Sequence, residues 1–350
     1  MNVKDLKYIF AYITPLSCYL SFIGDGIWSF TSVFILFGFL PIADQILPLS
    51  TSNFTEEEEL GRNKSIFFNA LLFLNLPILW MLGFWYLSIV SAGSLGVMDL
   101  IGKTLAMGIM SGTIGINVAH EIGHRPGFIN QWASRLLLMP ALYMHFNIEH
   151  NRGHHKWVAT PIDPATSRKG ESFYRFWCRS VFYSYLAAWK IENDDLKKIG
   201  KSAFSLRNKM VLFTLFQFIL IASIYLYFGL FGVSMFLITA VLGFTLLEQV
   251  NYIEHYGLVR DLLPSGRYEK IQPHHSWNSN HEVGRVVLYE LTRHSDHHFK
   301  STRKYQVLRH HDDTPQLPLG YPASIMIAMI PPLWFKLMDK QLEKQVAVAI

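Results

Sequence analysis

Six apolar runs dominate the chain: residues 8–23, 27–47, 65–90, 100–118, 210–228 and 233–252. Most approach or reach the about 20 residues that a helix needs to cross the hydrocarbon core of a bilayer. Six runs of that length are hard to bury in a water-soluble domain. The predicted class is therefore an all-α membrane protein with six transmembrane helices. Pro15, Pro41 and Pro77 fall inside the runs, where membrane helices tolerate them. The turn Gly24-Asp25-Gly26 joins the first pair, and the six runs read as three hairpins. They also explain why charged residues make up only 16% of the chain, against about 25% in soluble domains.

Orientation follows from Lys and Arg. The short loops 24–26, 91–99 and 229–232 contain neither, and the basic residues lie on the opposite side, apart from Lys103 near a helix end. The positive-inside rule then predicts cytoplasmic termini and cytoplasmic polar blocks. The expected organisation is four helices in 1–118, a cytoplasmic block in 119–209, two helices in 210–252 and a second cytoplasmic block in 253–350. The first run follows Lys4 and Lys7, as a signal peptide would. No small-residue cleavage site follows it, so it is expected to be retained. Residues 132–146, broken by Pro140, are expected to lie along or beneath the membrane. Residues 321–335, with Pro331-Pro332, are expected to form an interfacial or re-entrant segment. Thr55, ahead of four glutamates, reads as a helix cap. The two cysteines, Cys18 and Cys178, are too few for an iron–sulfur site and imply no disulfide framework.

The histidines carry the chemistry. "HEIGH" places His120 and His124 four apart with Glu121 between them, the HExxH pattern of zinc proteases, in which the Glu is the general base. But "EHNRGHH" adds His150, His154 and His155, and "RHSDHHF" adds His294, His297 and His298. Imidazole suits Zn, Cu, Fe and Ni. A catalytic zinc takes three protein ligands and a structural zinc four. Eight clustered histidines, with His255 of "NYIEHYGL" as a ninth, instead suit two metal ions with open positions. An intramembrane zinc protease would leave six of them without a role. A metal transporter would need ionisable residues in mid-span, where there are essentially none. Glu121, Glu149, Asp163, Glu254 and Asp296 are candidates to accept hydrogen bonds from ligand imidazoles and to offset the metal charge. Equally, they could pair with Arg125, Arg152 or Arg293. His274, His275 and His281, in "PHHSWNSNH", read as a structural loop beneath the site. His145 is expected near the His150 cluster, and His310 and His311 at the surface.

Taken in order, "HEIGHR", "EHNRGHHKWVATPIDPATSRKGESFYRF", "NYIEHYGL", "PHHSWNSNH" and "LTRHSDHHF" resemble the integral-membrane alkane monooxygenases, a branch of the histidine-rich membrane hydroxylases and desaturases. Departures are Arg125 where Lys is frequent, Thr292 where Gln is usual and Phe299 where Ala is usual. None removes a candidate ligand. The resemblance implies a non-haem centre of two iron ions, with O₂ as co-substrate and no haem or flavin in the chain. It implies hydroxylation of a medium-chain n-alkane at its terminal carbon to a 1-alkanol. Near alternatives are a xylene or cymene methyl hydroxylase and a fatty-acid hydroxylase. The expected location is the bacterial inner membrane. A C–H bond offers no handle for acid–base chemistry, which is consistent with a redox metal.

Electrons must come from elsewhere, because the chain has no GxGxxG fingerprint and too few cysteines for a rubredoxin or ferredoxin centre. The resemblance implies a separate rubredoxin with its reductase, and no nucleic-acid partner. Arg152, Lys156, Arg168, Lys169, Lys300, Arg303 and Lys304 offer it a basic docking face, although lipid headgroups would also suit these residues. An alkane arriving from the bilayer needs an apolar channel with almost no polar contacts. Leu36 and Phe37, near the middle of the second span, are the expected wall.

Overall fold

A computed structural model describes residues 3–348. Among these the chain is helical and has no strand; three isolated bridges, such as Leu49 to His281, pin loops together. Five helices are long and apolar enough to cross a membrane: Val3–Ile23, Gly26–Ile46, Ile66–Ser91, Val97–Gly123 and Lys209–His255. The last has 47 residues. Straight, it would measure about 70 Å, more than twice the roughly 30 Å of a hydrocarbon core. It is not straight. Gly229 has φ 68° and ψ −173°, a conformation open to a residue without a Cβ. Leu220 and Ile224 before this break face the same cavity as Phe236 and Thr239 after it, so the helix folds back as a hairpin.

Small residues set how closely the helices approach. A Cβ on Gly112 would lie 2.7 Å from the carbonyl oxygen of Gly243. The fourth helix and the second arm of the hairpin therefore cross backbone to backbone, as small residues permit in membrane bundles. Lys103, the lone basic residue off the charged side, is buried. Its Nζ donates to the carbonyls of Phe22 (2.8 Å) and Gly24 (2.6 Å) at the end of the first helix, where the macrodipole is negative.

The segment after "HEIGHR" forms a helix, Phe128–Leu138, that packs beside the third long helix. Trp80 Nε1, midway along that helix, donates to the carbonyl of Leu136 at 3.1 Å. Gly115 makes room for the approach, since a Cβ there would lie 3.3 Å from the carbonyl oxygen of Leu137. The C-terminal apolar stretch forms two helices, Tyr321–Ala328 and Pro331–Val348. Pro331 and Pro332 open the second, where a missing N–H costs nothing. Thr55 caps Glu56–Lys64 in a capping box with Glu58.

A buried ionic strut ties the first helix to the segment that carries the last histidine cluster. Tyr8 Oη donates to Glu290 Oε1 at 2.5 Å, and Arg285 Nε donates to Glu290 Oε2 at 2.7 Å. Tyr289 and Glu290 both have left-handed backbones, with φ 50° and 58°. Such strain in non-glycine residues persists only where the surroundings impose it. Here the Asn75 amide donates to the Tyr289 hydroxyl at 2.9 Å, while Tyr8, Arg285 and Arg293 hold Glu290.

Candidate metal centre

Four chain segments meet at the end of the bundle. The fourth helix brings His120, with His124 directly after it. The second arm of the hairpin ends on His255. The short helix His294–Phe299 brings the last cluster. The segment between carries His150 to His154 in a π-helical turn, a form frequent at functional sites. That turn has a structural consequence. With hydrogen bonds reaching five residues, His150 and His155 come onto one side and His154 is turned to the other.

The nine histidines form two groups: His120, His124, His150, His155 and His297 in one, and His154, His255, His294 and His298 in the other. Within each group the candidate ligand atoms lie within 4.8 Å of one another. In the first, Nε2–Nε2 distances are 2.9 Å for His120–His297, 3.2 Å for His124–His150, 3.0 Å for His150–His155 and 3.1 Å for His155–His297. In the second they are 3.2 Å for His154–His298, 3.2 Å for His255–His294 and 2.8 Å for His294–His298. With metal–nitrogen bonds of about 2.1 Å, neighbouring corners of a tetrahedron lie about 3.4 Å apart and those of an octahedron about 3.0 Å. The observed spacings match the octahedral edge, and five donors exceed a zinc site's four. Burial, and after it the neighbouring imidazoles, hold His150, His155, His294, His297 and His298 well below the ordinary imidazole range. His124 is pushed down to about 3 by burial and then by His154. Held neutral in this way, these six rings keep lone pairs free for a metal.

The five candidate carboxylates take different places. Asp163 Oδ2 meets His154 Nδ1 at 2.8 Å. Asp163 is itself held by the Thr166 hydroxyl at 2.5 Å and the Ala165 N–H at 3.1 Å. Glu254 Oε2 lies 3.2 Å from His294 Nε2. Glu121 pairs with Arg125 at 2.7 Å and accepts from the Tyr305 N–H at 3.3 Å. Asp296 pairs with Arg303 and with His311, which fastens His311 to the interior. Glu121 and Asp296 thus pair with an arginine and not with any of the nine clustered histidines. Glu149 is buried with Oε1 unpartnered, against Gly153.

An apolar cavity reaches both histidine groups, touching His120, His150 and His294. It offers about 840 Å³ of free space, its open mouth included. Leu36, Phe37 and Leu40 form one wall, with Ile116 and Leu246 opposite, and Tyr321 and Ile325 of the C-terminal segment complete it. Sequence reasoning missed this last contribution, since no spacing relates residue 321 to the histidines. On the far side, His124 borders two further openings. One is lined by Arg125, Arg303 and Lys304 and the other by Arg135, Arg152 and Lys209. Lys300 is exposed. Lys304 donates to the Asn63 carbonyl at 3.1 Å, Arg152 pairs with Glu192 and Asp195, and Lys156 lies over the Trp157 ring at 4.7 Å.

The other histidines stay outside both groups. His145 packs between Tyr143 and Tyr185. Glu269, His274 and His275 could by distance hold an ion, but His275 Nδ1 accepts the Gln272 N–H at 2.9 Å. The proton is therefore on Nε2, the atom facing Glu269 at 3.0 Å, and this is a structural hydrogen bond. His281 Nδ1 meets the Ser279 hydroxyl.

Long apolar helices ending in two groups of largely buried histidines define a class: helical membrane proteins with imidazole clusters suited to metal ions. Comparison with known proteins narrows it. Residues 97–325 match the fatty acid desaturase family. Alkane 1-monooxygenase 1 of Alcanivorax borkumensis is 39% identical over 319 residues, covering 90% of this chain and 78% of that protein. Alkane 1-monooxygenase of Acinetobacter baylyi is 41% identical over 302 residues, covering 86% and 74%. The xylene/toluene monooxygenase hydroxylase component XylM of Pseudomonas putida is 29% identical over 347 residues, covering 97% and 89%. The chain belongs to the alkane 1-monooxygenase family, within the wider fatty acid desaturase family.

Proposed function

We propose that this protein is a membrane-bound monooxygenase that converts a medium-chain n-alkane to the 1-alkanol at a centre of two iron ions. The observation that carries the proposal is the opening of both histidine groups onto one apolar cavity. Iron bound there supplies the activation of O₂ and the oxidation of the C–H bond. Alkane, O₂, two electrons and two protons are consumed, and alkanol and water are formed. His120, His124, His150, His155 and His297 hold one ion, and His154, His255, His294 and His298 the other. Asp163 orients His154 through its Nδ1–H. Leu36, Phe37, Leu40 and Leu246 exclude water and align the hydrocarbon by shape.

The bundle crosses the bilayer six times in this reading, with the helix folded at Gly229 counted twice. The metal centre and the termini face the cytoplasm, and the membrane is the bacterial inner membrane. Electrons arrive from a rubredoxin served by its reductase. It docks on the basic side near His124, where Arg152, Lys156, Lys300, Arg303 and Lys304 lie. A zinc protease would need Glu121 free to act as a base, and the ion pair with Arg125 speaks against it.

The test is iron content of the purified protein together with product identification from octane, O₂ and reduced rubredoxin. Two irons per chain and 1-octanol are expected. One zinc, or no oxidised product, would overturn the proposal. The likeness to XylM supports one second reading, hydroxylation of an aromatic methyl group, which p-xylene in the same assay separates from the first.

A further inference from the structure

Asp44 stands apart from the carboxylates around the metal centre. It lies one turn beyond Leu40 on the second long helix, on the same face, and is 2% exposed. Its Oδ1 accepts the Gly284 N–H at 2.9 Å. Its Oδ2 has no hydrogen-bond partner and lies against two glycines. A Cβ on Gly284 would fall 3.0 Å from it, and one on Gly320 would fall 2.5 Å from it. The carboxylate thus fills the room that side chains at both positions would need.

The three segments that meet at this carboxylate are three walls of the apolar cavity. Leu36, Phe37 and Leu40 lie on the helix that carries Asp44. Gly284 and Val287 lie in the short helix Glu282–Val287. Gly320 immediately precedes the helix Tyr321–Ala328, which contributes Tyr321 and Ile325. Asp44 itself does not line the cavity. Tyr321, the residue after Gly320, donates its hydroxyl to Glu254 beside His255, so a shift of this wall reaches the edge of the metal centre. A buried oxygen without a donor is costly, and an apolar side chain of the same size would avoid that cost. What the carboxylate adds is the directed bond to Gly284.

We infer that Asp44 is a positioning residue that fixes the spacing of the three walls, and thereby which carbon of the alkane meets the metal centre. A hydrocarbon offers a pocket no polar handle, so the walls alone set its register. A misplacement of about 1 Å, caused far from the chemistry, can cost about 100-fold in rate. The carbon next to the terminal one gains whenever the chain slides by such a distance. The inference rests on the alkane-hydroxylase reading.

The experiment compares the wild type with Asp44→Asn, Asp44→Ala, Gly320→Ala and the double variant Asp44→Ala with Gly320→Ala. It reads iron per chain and the ratio of 2-octanol to 1-octanol formed from octane. Iron content should be unchanged throughout. Asp44→Ala opens the junction, and Gly320→Ala drives a methyl group into the carboxylate. Each should raise the ratio at least several-fold. In the double variant the methyl takes the room of the lost carboxylate, and most of the wild-type ratio should return. Asp44→Asn keeps the acceptor for Gly284 and should stay near the wild type. An unchanged ratio in both single variants would overturn the inference and leave the alkane reading standing. So would loss of iron in both, which marks a merely structural role, or a double variant no more selective than the singles. A wild type that forms no octanol would overturn both readings. If Asp44→Ala fails to fold, Gly320→Ala, which keeps the carboxylate, carries the test.

Discussion

Asp163 Oδ2 lies 2.8 Å from His154 Nδ1, and both side chains are buried. This hydrogen bond fixes the proton on Nδ1 and turns Nε2 toward His298, 3.2 Å away. It is an imidazole–carboxylate pair of the kind that orients metal-bound histidines. Asp163→Ala should therefore weaken metal retention at the second histidine group by about 10- to 100-fold. Competition against a chelator measures it. Equal loss from both groups would show that the pair does not act on His154 alone.

His297 and His298 are sequence neighbours in different groups. His297→Ala and His298→Ala should each lower iron to about one per chain and abolish turnover, because an open site tolerates few ligand losses. Spectroscopy of the remaining iron should differ between the two variants. Identical residual spectra would refute the division of the site.

Leu36 is 5% exposed and lines the cavity with Phe37. Leu36→Trp adds bulk to the wall and should shift preference toward shorter alkanes. A pocket discriminates about 10- to 200-fold per methylene, so the ratio of hexanol to decanol formed in competition should rise by at least several-fold. An unchanged ratio would mean that the alkane does not pass this wall.

Glu290 joins Tyr8, Arg285 and Arg293 at the base of the last histidine cluster. Burial alone would raise its pKa, but Arg285 and then Arg293 outweigh this and hold it at about 2. The folded value lies below the unfolded value of about 4.3. The stabilisation is thus present above about pH 4.3 and is lost as pH falls through about 2. Glu290→Gln should flatten this acid limb in detergent unfolding curves. It should also cost about 3–5 kcal/mol at neutral pH, by leaving buried guanidinium charge uncompensated. A variant as stable as the wild type would remove the strut from the account.

If the donor docks on the basic side, turnover at limiting rubredoxin should fall as salt rises, since opposite charge chiefly speeds association. Lys300→Glu combined with Lys304→Glu should raise the rubredoxin concentration needed for half-maximal turnover several-fold while leaving iron content unchanged. Insensitivity to both would place docking elsewhere.

The sequence by itself determined the helical class, the apolar segments and the clustering of histidines. Hydropathy and residue chemistry are local properties that survive without coordinates. The two runs on either side of Gly229 show this, since they read as separate helices although a single non-helical residue parts them. The sorting of ligands was decided only by the tertiary structure. Spacing pairs His150 with His154, but a π-helical turn joins His150 to His155 and sends His154 to the other group. His297 and His298 are parted by the helix face each occupies. Tyr321 reaches Glu254 from 67 residues away, and Glu121, central to the HExxH pattern, is drawn to Arg125. A metal site is defined by which donor atoms converge, and convergence depends on how distant helices cross, as at Gly112 and Gly243. No local pattern encodes that crossing, because it follows from packing across the whole bundle.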